Sequence, residues 1–333
     1  MKNILILGSE GYLGSVLVPF LLKKNHKITG VDKCFFGRKN KYKKNFQFIK
    51  IDYKNIKNNF LTKFDFIVDL VNISNDPASE LNFQFTNLTN YKNKILFYKK
   101  LLKVNKAIKY IYISSCSVYG HNASLVNESS KPKPISLYSK LCLRYENFLK
   151  KNKINYTILR LGTLYGWSKR MRYDIAINKI IRDIIFLKKV EILGGQQQRF
   201  FCYNIFACEV INKIIFEKSK KFLNKILNIG IFNKNIIELT KKIIKLTKTP
   251  NTNIIHEENN IDKRSYKVSM TSANLFKKKS NFSRLVNSSL ITTYKKISLD
   301  KIPFDKNKIT LLVYNDYLKK KRKILRYLFL KMI

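Results

Sequence analysis

The sequence is poor in the residue types that build metal centres, disulfide frameworks and membrane spans. Five cysteines are scattered without a C-x-x-C pair, and only three histidines occur, so we predict neither a metal site nor a disulfide scaffold. No apolar run reaches the roughly 18 residues that would span a bilayer. The start of the chain lacks the apolar stretch and cleavage site of a secretory signal. These absences predict a cytoplasmic globular protein.

Acidic residues are also scarce: 21 Asp and Glu stand against 66 Lys and Arg, which gives a net charge of +45. Such a field attracts polyanions. The lysines are nevertheless dispersed over every segment rather than gathered in a stripe, which is typical of a compositional bias and not of a nucleic-acid reading surface. We predict a solvated basic surface and no specific nucleic-acid partner. A nucleic-acid-binding protein is a rival hypothesis that rests on charge alone.

Short apolar runs alternate with helix-length amphipathic stretches in the first half of the chain. The runs are continuously apolar, as in strands whose two faces are both covered by helices. Six of them are expected strands: Ile4–Leu7, Lys27–Val31, Phe46–Ile51, Phe66–Val71, Tyr110–Ser114 and Tyr156–Leu161. The pattern predicts an α/β fold with a Rossmann-like, doubly wound parallel sheet over residues 1–166.

After Gly166 the pattern changes to longer polar stretches with short strand candidates at Val190–Leu193 and Lys225–Ile229. We predict a smaller mixed α/β substrate lobe over residues 167–305, some segments of which return to the Rossmann core. No Pro/Gly/Ser-rich linker or internal repeat separates the lobes, so a cleft between them is the expected ligand site. Residues 306–333 are expected to form a basic C-terminal helix that packs on the body; a weak membrane-surface contact is the alternative.

A glycine-rich turn, Gly8-Ser9-Glu10-Gly11-Tyr12-Leu13-Gly14, joins the first strand to the first helix. Such a turn lets the backbone approach a pyrophosphate, whose charge is met by amides at the helix N-terminus. Asp32, at the end of the second strand, is placed to accept hydrogen bonds from an adenosine ribose and to repel a 2′-phosphate. Lys33 and Arg38 weaken that preference. Asp52 is a candidate for the adenine amino group or a strand-end cap. The turn therefore predicts NAD as cofactor, with contacts from Gly8, Gly11, Tyr12, Leu13, Gly14, Asp32 and Asp52.

Several further motifs follow in order along the chain. They are Tyr112–Gly120 with Pro134–Tyr138, Arg160–Gly166, Arg170–Asp174 and Asp262–Val268. Together they resemble the nucleotide-sugar epimerase/dehydratase branch of the extended short-chain dehydrogenase/reductases, over roughly residues 1–297. The resemblance implies an NAD-dependent enzyme that epimerises or dehydrates a nucleotide-sugar through a 4-keto intermediate. A nucleotide-sugar reductase of the same fold is the alternative. A homodimer is expected from the fold.

By position, the resemblance implies Tyr138 as the acid/base for the sugar hydroxyl and Ser115 as its hydrogen-bonding partner. The family motif is Tyr-x-x-x-Lys, and Cys142 stands here in the lysine position, with Glu146 fixing the register. Lys140 lies on another face of the helix. Because the family lysine lowers the tyrosine pKa by its charge, three hypotheses stay open: an enzyme of reduced activity, a lysine supplied from elsewhere, and a catalytically impaired NAD-binding member.

The resemblance also assigns the remaining site residues. Leu70 and Val71 are expected against the cofactor, and Asn87 behind the nicotinamide pocket. Arg199 is a candidate for the nucleotide diphosphate, because a guanidinium matches phosphate oxygens in pairs; a surface ion pair is its alternative. The expected substrate contacts are Ser115, Thr163, Arg170, Arg172, Asn178 and Arg199.

Overall fold

The short apolar runs of the sequence form strands, and the amphipathic stretches between them form helices. A computed structural model describes residues 1–74, 76–104, 107–152, 155–217, 219–257 and 264–330. Its strands are β1 (Asn3–Leu7), β2 (Lys27–Asp32), β3 (Phe46–Lys50), β4 (Phe66–Asp69), β5 (Lys109–Ser115), β6 (His121–Val126), β7 (Tyr156–Leu161), β8 (Thr163–Tyr165), β9 (Lys189–Leu193), β10 (Gln198–Tyr203), β11 (Lys225–Ile229), β12 (Phe232–Asn235), β13 (Asn253–Glu257) and β14 (Ser265–Val268). Its helices are α1 (Gly14–Leu22), α2 (Asn58–Leu61), α3 (Asp76–Glu80), α4 (Phe83–Asn87), α5 (Asn93–Val104), α6 (Leu137–Asn152), α7 (Ala176–Phe186), α8 (Asn204–Phe216), α9 (Ile236–Thr247), α10 (Thr271–Asn274), α11 (Phe282–Ile297) and α12 (Thr310–Leu330).

Seven strands form one parallel sheet in the order β11-β7-β5-β4-β1-β2-β3. All six strands expected from the sequence lie in it. The chain order reverses between β1 and β4, and in open α/β sheets such a reversal leaves a crevice at the carboxyl ends of the strands. The predicted Rossmann-like α/β fold is confirmed.

Both faces of this sheet are buried, as the continuously apolar strands require. Ile4 and Ile6 of β1 belong to one apolar cluster, and Leu5 and Leu7 belong to another on the opposite face. The first cluster continues through Tyr165 into the residues that follow β7. The two halves of the chain therefore share one packed interior and have no tether between them.

The smaller sheets form from the second half of the chain with help from the first. One has the order β12-β10-β8, and two are strand pairs, β13 with β9 and β14 with β6. The boundary at residue 166 is crossed in both directions: β11 returns to the main sheet beside β7, whereas β6 leaves the first half to pair with β14.

A buried ion pair connects the carboxyl half of the sheet to α6. The Arg160 guanidinium on β7 lies 2.6 Å from the Glu146 carboxylate on α6, and both side chains are buried. Ser114, at the end of β5, donates a hydrogen bond of 2.5 Å to the same carboxylate. This three-way contact fixes where α6 begins relative to the last residues of β5.

The C-terminal region packs on the body through the first turns of α12. Thr310 and Tyr314 are buried there, whereas Lys319, Lys320 and Lys321 are exposed. Within the described ranges, no helix is long and apolar enough to cross a membrane. The basic run continues into residues 322–330, whose side chains the structure does not describe. Residues 331–333 of the predicted C-terminal helix, and residues 262 and 263 of the Asp262–Val268 motif, lie outside the described part of the chain.

Candidate active site

A cavity of about 660 Å³ opens at the carboxyl edge of the main sheet. Its wall includes residues at or after the ends of β1, β2, β4, β5 and β7, and residues of the second half of the chain close the other side. The volume lies within the range of small-molecule and cofactor sites. The cavity is therefore large enough for the cleft site that the sequence predicts.

The glycine turn forms one end of this cavity. Gly8 has a φ of 81°, and a side chain on it would meet the Leu70 backbone at 3.2 Å. A side chain on Gly14 would collide with the carbonyl oxygens of Gly8 and Ser9. The bare backbone at the N-terminus of α1 thus lines the cavity and fits the diphosphate of a dinucleotide. Every predicted residue of the turn lines the cavity: Gly8, Gly11, Tyr12, Leu13 and Gly14.

Asp32 lies at the end of β2 and also lines the cavity. Its carboxylate accepts hydrogen bonds from the backbone amides of Glu10, at 3.0 Å, and Cys34, at 2.6 Å. Burial raises the pKa of Asp32, and the neighbouring Glu10 carboxylate adds to the rise while those amides oppose it. Glu10, which the sequence did not single out, is buried and accepts from the Asn40 amide at 2.9 Å. Of these two carboxylates, only Asp32 lines the cavity, and Glu10 lies behind it.

The two cations that weakened the predicted preference for NAD have other partners. Lys33 lies 3.3 Å from the Asp52 carboxylate. The Arg38 guanidinium stacks 4.8 Å above the Phe48 ring and donates to the Asn40 carbonyl. Asp52 lines the cavity and also caps the following turn by accepting from the Lys54 amide. Both sequence interpretations of Asp52 thus match its position.

The loop after β4 forms the floor beside the glycine turn. Leu70 and Val71 line the cavity as expected. Asn87 is outside the lining; the asparagine that holds this loop is Asn90, whose side chain accepts from the Ile73 amide at 2.8 Å and donates to the Ile73 carbonyl. The sequence analysis did not single out Asn90, whose role depends on its contact with Ile73.

Tyr138, the second residue of α6, and Ser115, the last residue of β5, both line the cavity. Burial, with the neighbouring Cys142 thiol and Asp76 carboxylate, raises the pKa of Tyr138 well above its usual value, and the hydrogen bond with Ser115 opposes this rise. Ser115 also caps the next turn by accepting from the Ser117 amide at 3.1 Å. The Tyr138 phenol is therefore protonated at neutral pH.

Cys142 lies behind Tyr138 and does not line the cavity. It is fully buried, one turn along α6, beside the hydroxyl groups of Tyr138 and Tyr112. Burial raises the pKa of this thiol to about 12, so it is neutral and supplies no charge to Tyr138. Lys140 is exposed to solvent, as its position on the helix predicts.

A buried lysine does lie near this point. Lys94 of α5 is fully buried, with its ammonium 5.0 Å from the Tyr112 ring and near enough to Cys142 for the two to interact electrostatically. It forms an ion pair of 2.5 Å with Asp69, which also accepts from the Tyr110 hydroxyl. Because Asp69 balances its charge, Lys94 is a weak substitute for the family lysine. The sequence alone gave no sign of this pair.

Asp76, at the start of α3, is the carboxylate that interacts electrostatically with Tyr138. It pairs with Arg264 and accepts a hydrogen bond from Ser136. All of Asp76, Arg264 and Tyr138 line the cavity. Nothing in the sequence pointed to Asp76, because its ionic partner, Arg264, lies far along the chain.

The predicted substrate residues divide into two groups. Thr163 and Arg199 line the cavity on the side of the small sheet, where the Arg199 guanidinium donates to the carbonyls of Gln198 and Arg264. Arg170 and Arg172 line it near the glycine turn instead, close to Tyr12.

Asn178 lies outside the lining. Its buried amide donates to the Tyr12 hydroxyl and the Arg172 carbonyl, each at 3.0 Å. Its side-chain oxygen accepts from the Gly166 amide at 3.0 Å. Asn178 therefore supports the turn from behind in this structure.

Comparisons with known proteins agree with this geometry. The model of the NAD dependent epimerase/dehydratase family matches residues 4–230. An uncharacterized UDP-glucose epimerase of Bacillus subtilis, YtcB, is 30% identical over 60% of this chain and 68% of its own. The dTDP-D-glucose 4,6-dehydratase of Mus musculus is 26% identical over 75% of this chain and 74% of its own.

A solved structure has the same architecture. The UDP-glucuronic acid 4-epimerase of Bacillus cereus, in complex with UDP-glucuronic acid and NAD, superposes with a TM-score of 0.72. It is 25% identical, and the match covers 89% of this chain and 98% of that one.

Proposed function

Because the chain belongs to the NAD-dependent epimerase/dehydratase family, we propose that it binds NAD and a nucleotide-sugar in this cavity and converts the sugar through a 4-keto intermediate. The observation that carries the proposal is the pairing of Ser115 with Tyr138 in the same cavity as the glycine turn and Asp32. An acid/base pair and a dinucleotide cradle are thus open to one ligand space. The UDP-sugars named for two similar proteins support a nucleotide-sugar as the substrate class.

Each residue has a proposed role. The glycine turn and α1 hold the diphosphate of the dinucleotide, and Asp32 holds its adenosine ribose. NAD, when bound, supplies the acceptor and donor of hydride. Tyr138 takes the proton of the sugar hydroxyl and later returns it, while Ser115 holds the same oxygen. Arg199 and Thr163 face the nucleotide-sugar.

Epimerisation is the first candidate because it needs no acid/base group beyond Tyr138 and Ser115. Dehydration is the second, and Asp76 is the observation that favours it. Elimination of water beside a carbonyl needs a base for the carbon-bound proton and an acid for the leaving hydroxyl. Asp76 is a carboxylate near Tyr138 in the cavity and can serve in that step.

The test is product identification with NAD and a panel of UDP-, dTDP- and GDP-sugars, by mass spectrometry and NMR. An epimerase gives a product of unchanged mass, a dehydratase gives loss of one water, and a reductase consumes NADH. Asp76→Asn retains epimerisation and loses dehydration, with folding checked by thermal melting. If the protein binds NAD and a nucleotide-sugar yet forms none of these products, the catalytically impaired member is the correct hypothesis.

A further inference from the structure

Arg170 is a buried cation without a carboxylate partner among the described residues. Its side chain is 3% exposed. One terminal nitrogen donates to the Met171 carbonyl at 3.2 Å and the other to the Thr310 hydroxyl at 3.0 Å, whereas Nε has no partner. Its guanidinium also stacks 3.7 Å above the Phe36 ring. Burial, with the nearby Arg172, lowers the pKa of Arg170 to about 9, while the Asp174 carboxylate opposes this effect. Asp174 forms its direct ion pair with Arg172, so the buried Arg170 charge is only partly balanced and an anion beside it would be favoured.

The glycine turn supplies the other half of an anion site. The Arg170 amide lies 3.3 Å from the Ser15 hydroxyl in the first turn of α1. Ser168, two residues earlier, donates to the Tyr12 carbonyl at 2.8 Å. The Arg170 backbone therefore lies against the first turn of α1, and Arg170 lines the same cavity as the glycine turn, where backbone amides favour phosphate. The nucleotide-sugar contact that the resemblance implies for Arg170 stays a prediction.

The C-terminal helix completes this end of the cavity. Thr310, the first residue of α12, orients Arg170, and Tyr314, one turn later, lines the cavity and interacts electrostatically with Asp32. The Tyr314 ring packs 5.4 Å from Phe35 and 5.5 Å from Phe36, on the loop after β2.

These aromatic residues form an apolar cluster separate from the main core. With Ile73, Ala78 and Phe85 they make a unit that joins α12 to the loops after β2 and β4. A segment held by its own small cluster opens at lower free energy than one that shares the main core. The C-terminal helix α12 can therefore separate from the loops after β2 and β4 while the main sheet stays folded.

We propose that α12 is the retaining wall of the dinucleotide site: Arg170, oriented by Thr310, binds the diphosphate, and Tyr314 closes over the adenosine ribose that Asp32 holds. The inference rests on the proposed function for the identity of the dinucleotide. Release of NAD then requires α12 to move away from the loop after β2. Slow release of this kind would let one bound cofactor serve repeated turnovers.

The experiment follows release of NADH, by its fluorescence, from the full-length protein after addition of excess NAD. The variants are Arg170→Met and Tyr314→Leu. The matched control is Tyr317→Leu, because Tyr317 packs 4.7 Å from Phe35 in the same aromatic group but does not line the cavity. A hydrogen bond to a charged group contributes enough for Arg170→Met to release NADH about 10- to 100-fold faster. Tyr314→Leu also speeds release, and Tyr317→Leu does so less.

Thermal melting without nucleotide separates ligand binding from a structural role. Arg170→Met removes a buried charge that is only partly balanced, so it melts at or above the wild-type temperature in the absence of NADH and gains less from added NADH. A lower melting temperature without NADH, together with unchanged release, overturns the inference. If the wild type binds NADH and both cavity variants release it at the wild-type rate, the inference alone fails. If the wild type binds no dinucleotide, the proposed function fails with it.

Discussion

At the scale of single residues, we expect the Asp32 carboxylate to decide which dinucleotide binds. A 2′-phosphate at this point would meet the Asp32 carboxylate, while Lys33 is paired with Asp52 and Arg38 is stacked on Phe48. We expect NADP to bind at least about tenfold more weakly than NAD. Isothermal titration of both dinucleotides measures the ratio.

Two variants sharpen that measurement. Asp32→Asn brings the affinities for NAD and NADP closer together, because it removes the carboxylate that accepts hydrogen bonds from the ribose and that repels a 2′-phosphate. Asp65→Asn, a surface carboxylate outside the cavity lining, leaves the ratio unchanged. NADP binding as tight as NAD binding in the wild type would show that Asp32 does not face the ribose.

The protonated phenol of Tyr138 predicts an alkaline rate profile. Its pKa is raised well above the usual value, chiefly by burial. The reactive phenolate is therefore scarce at neutral pH, and the initial rate should climb as pH rises. Cys142→Lys adds a positive charge one helical turn away, which lowers the Tyr138 pKa, shifts the profile to lower pH and raises turnover at neutral pH.

Cys142→Ser is the matched neutral control for this change, and its profile should stay where the wild-type profile lies. Cys142 is fully buried, so thermal melting must show that the lysine variant is folded. A folded lysine variant whose rate profile coincides with that of the serine variant would refute a role for charge at this position.

Several site residues had no signal in the sequence because their partners come from distant segments. Glu10 is fixed by Asn40, Lys94 by Asp69, and Asp76 by Arg264. In contrast, the glycine turn and Asp32 were predicted from a strand end and a local motif, and the family resemblance implied Ser115 and Tyr138. The three-dimensional structure was needed to find what surrounds these groups.

At the scale of elements, the buried contact between Arg160, Glu146 and Ser114 fixes the relation of β5, β7 and α6. Removing one partner of a buried pair leaves a charge without compensation, which costs about 3–5 kcal/mol. We expect Glu146→Gln to lower the free energy of unfolding by this amount, measured by urea denaturation. Because α6 carries Tyr138, turnover should fall as well.

Glu238→Gln is the control for that experiment. Glu238 lies 3.0 Å from Lys234 in an exposed pair on the surface, and solvent screens such pairs. Its removal should leave the denaturation midpoint unchanged. Equal midpoints for Glu146→Gln and Glu238→Gln would contradict the structural importance of the buried contact.

The strands that sequence reasoning identified are those of the central sheet together with β9, which pairs with β13. The strands of the central sheet were visible because burial on both faces makes them continuously apolar. β6 and β14 were missed, since β6 has mostly exposed or half-buried residues and pairs with a strand more than a hundred residues away. Short, half-polar strands carry too little pattern to predict, and their pairing depends on long-range contacts.

At the scale of the whole molecule, the net charge of +45 governs association with polyanions. We expect binding to nucleic acid to be independent of base sequence and to weaken steeply with salt, because each phosphate contact releases a counterion. Fluorescence anisotropy with oligonucleotides of random and of defined sequence, at several salt concentrations, measures how the affinity depends on sequence and on salt. A preference of about 10³-fold for one sequence would indicate a dedicated reading surface instead.

The two halves of the chain act as one unit because they share a core and enclose one cavity. Residues of the main sheet hold the expected dinucleotide end, and Thr163 and Arg199 face it from the second half. We propose that a nucleotide-sugar is transformed there by proton transfer through Tyr138.

The most direct test is the initial rate of nucleotide-sugar conversion by the wild type and by Tyr138→Phe, with NAD binding confirmed in both by calorimetry. Tyr294→Phe, on α11 and outside the cavity lining, is the control and should match the wild type. Positioned acid/base groups contribute about 10² to 10⁴-fold to the rate, so we predict a fall in the initial rate of that size for Tyr138→Phe, with NAD affinity nearly unchanged. Wild-type turnover in Tyr138→Phe would contradict this prediction.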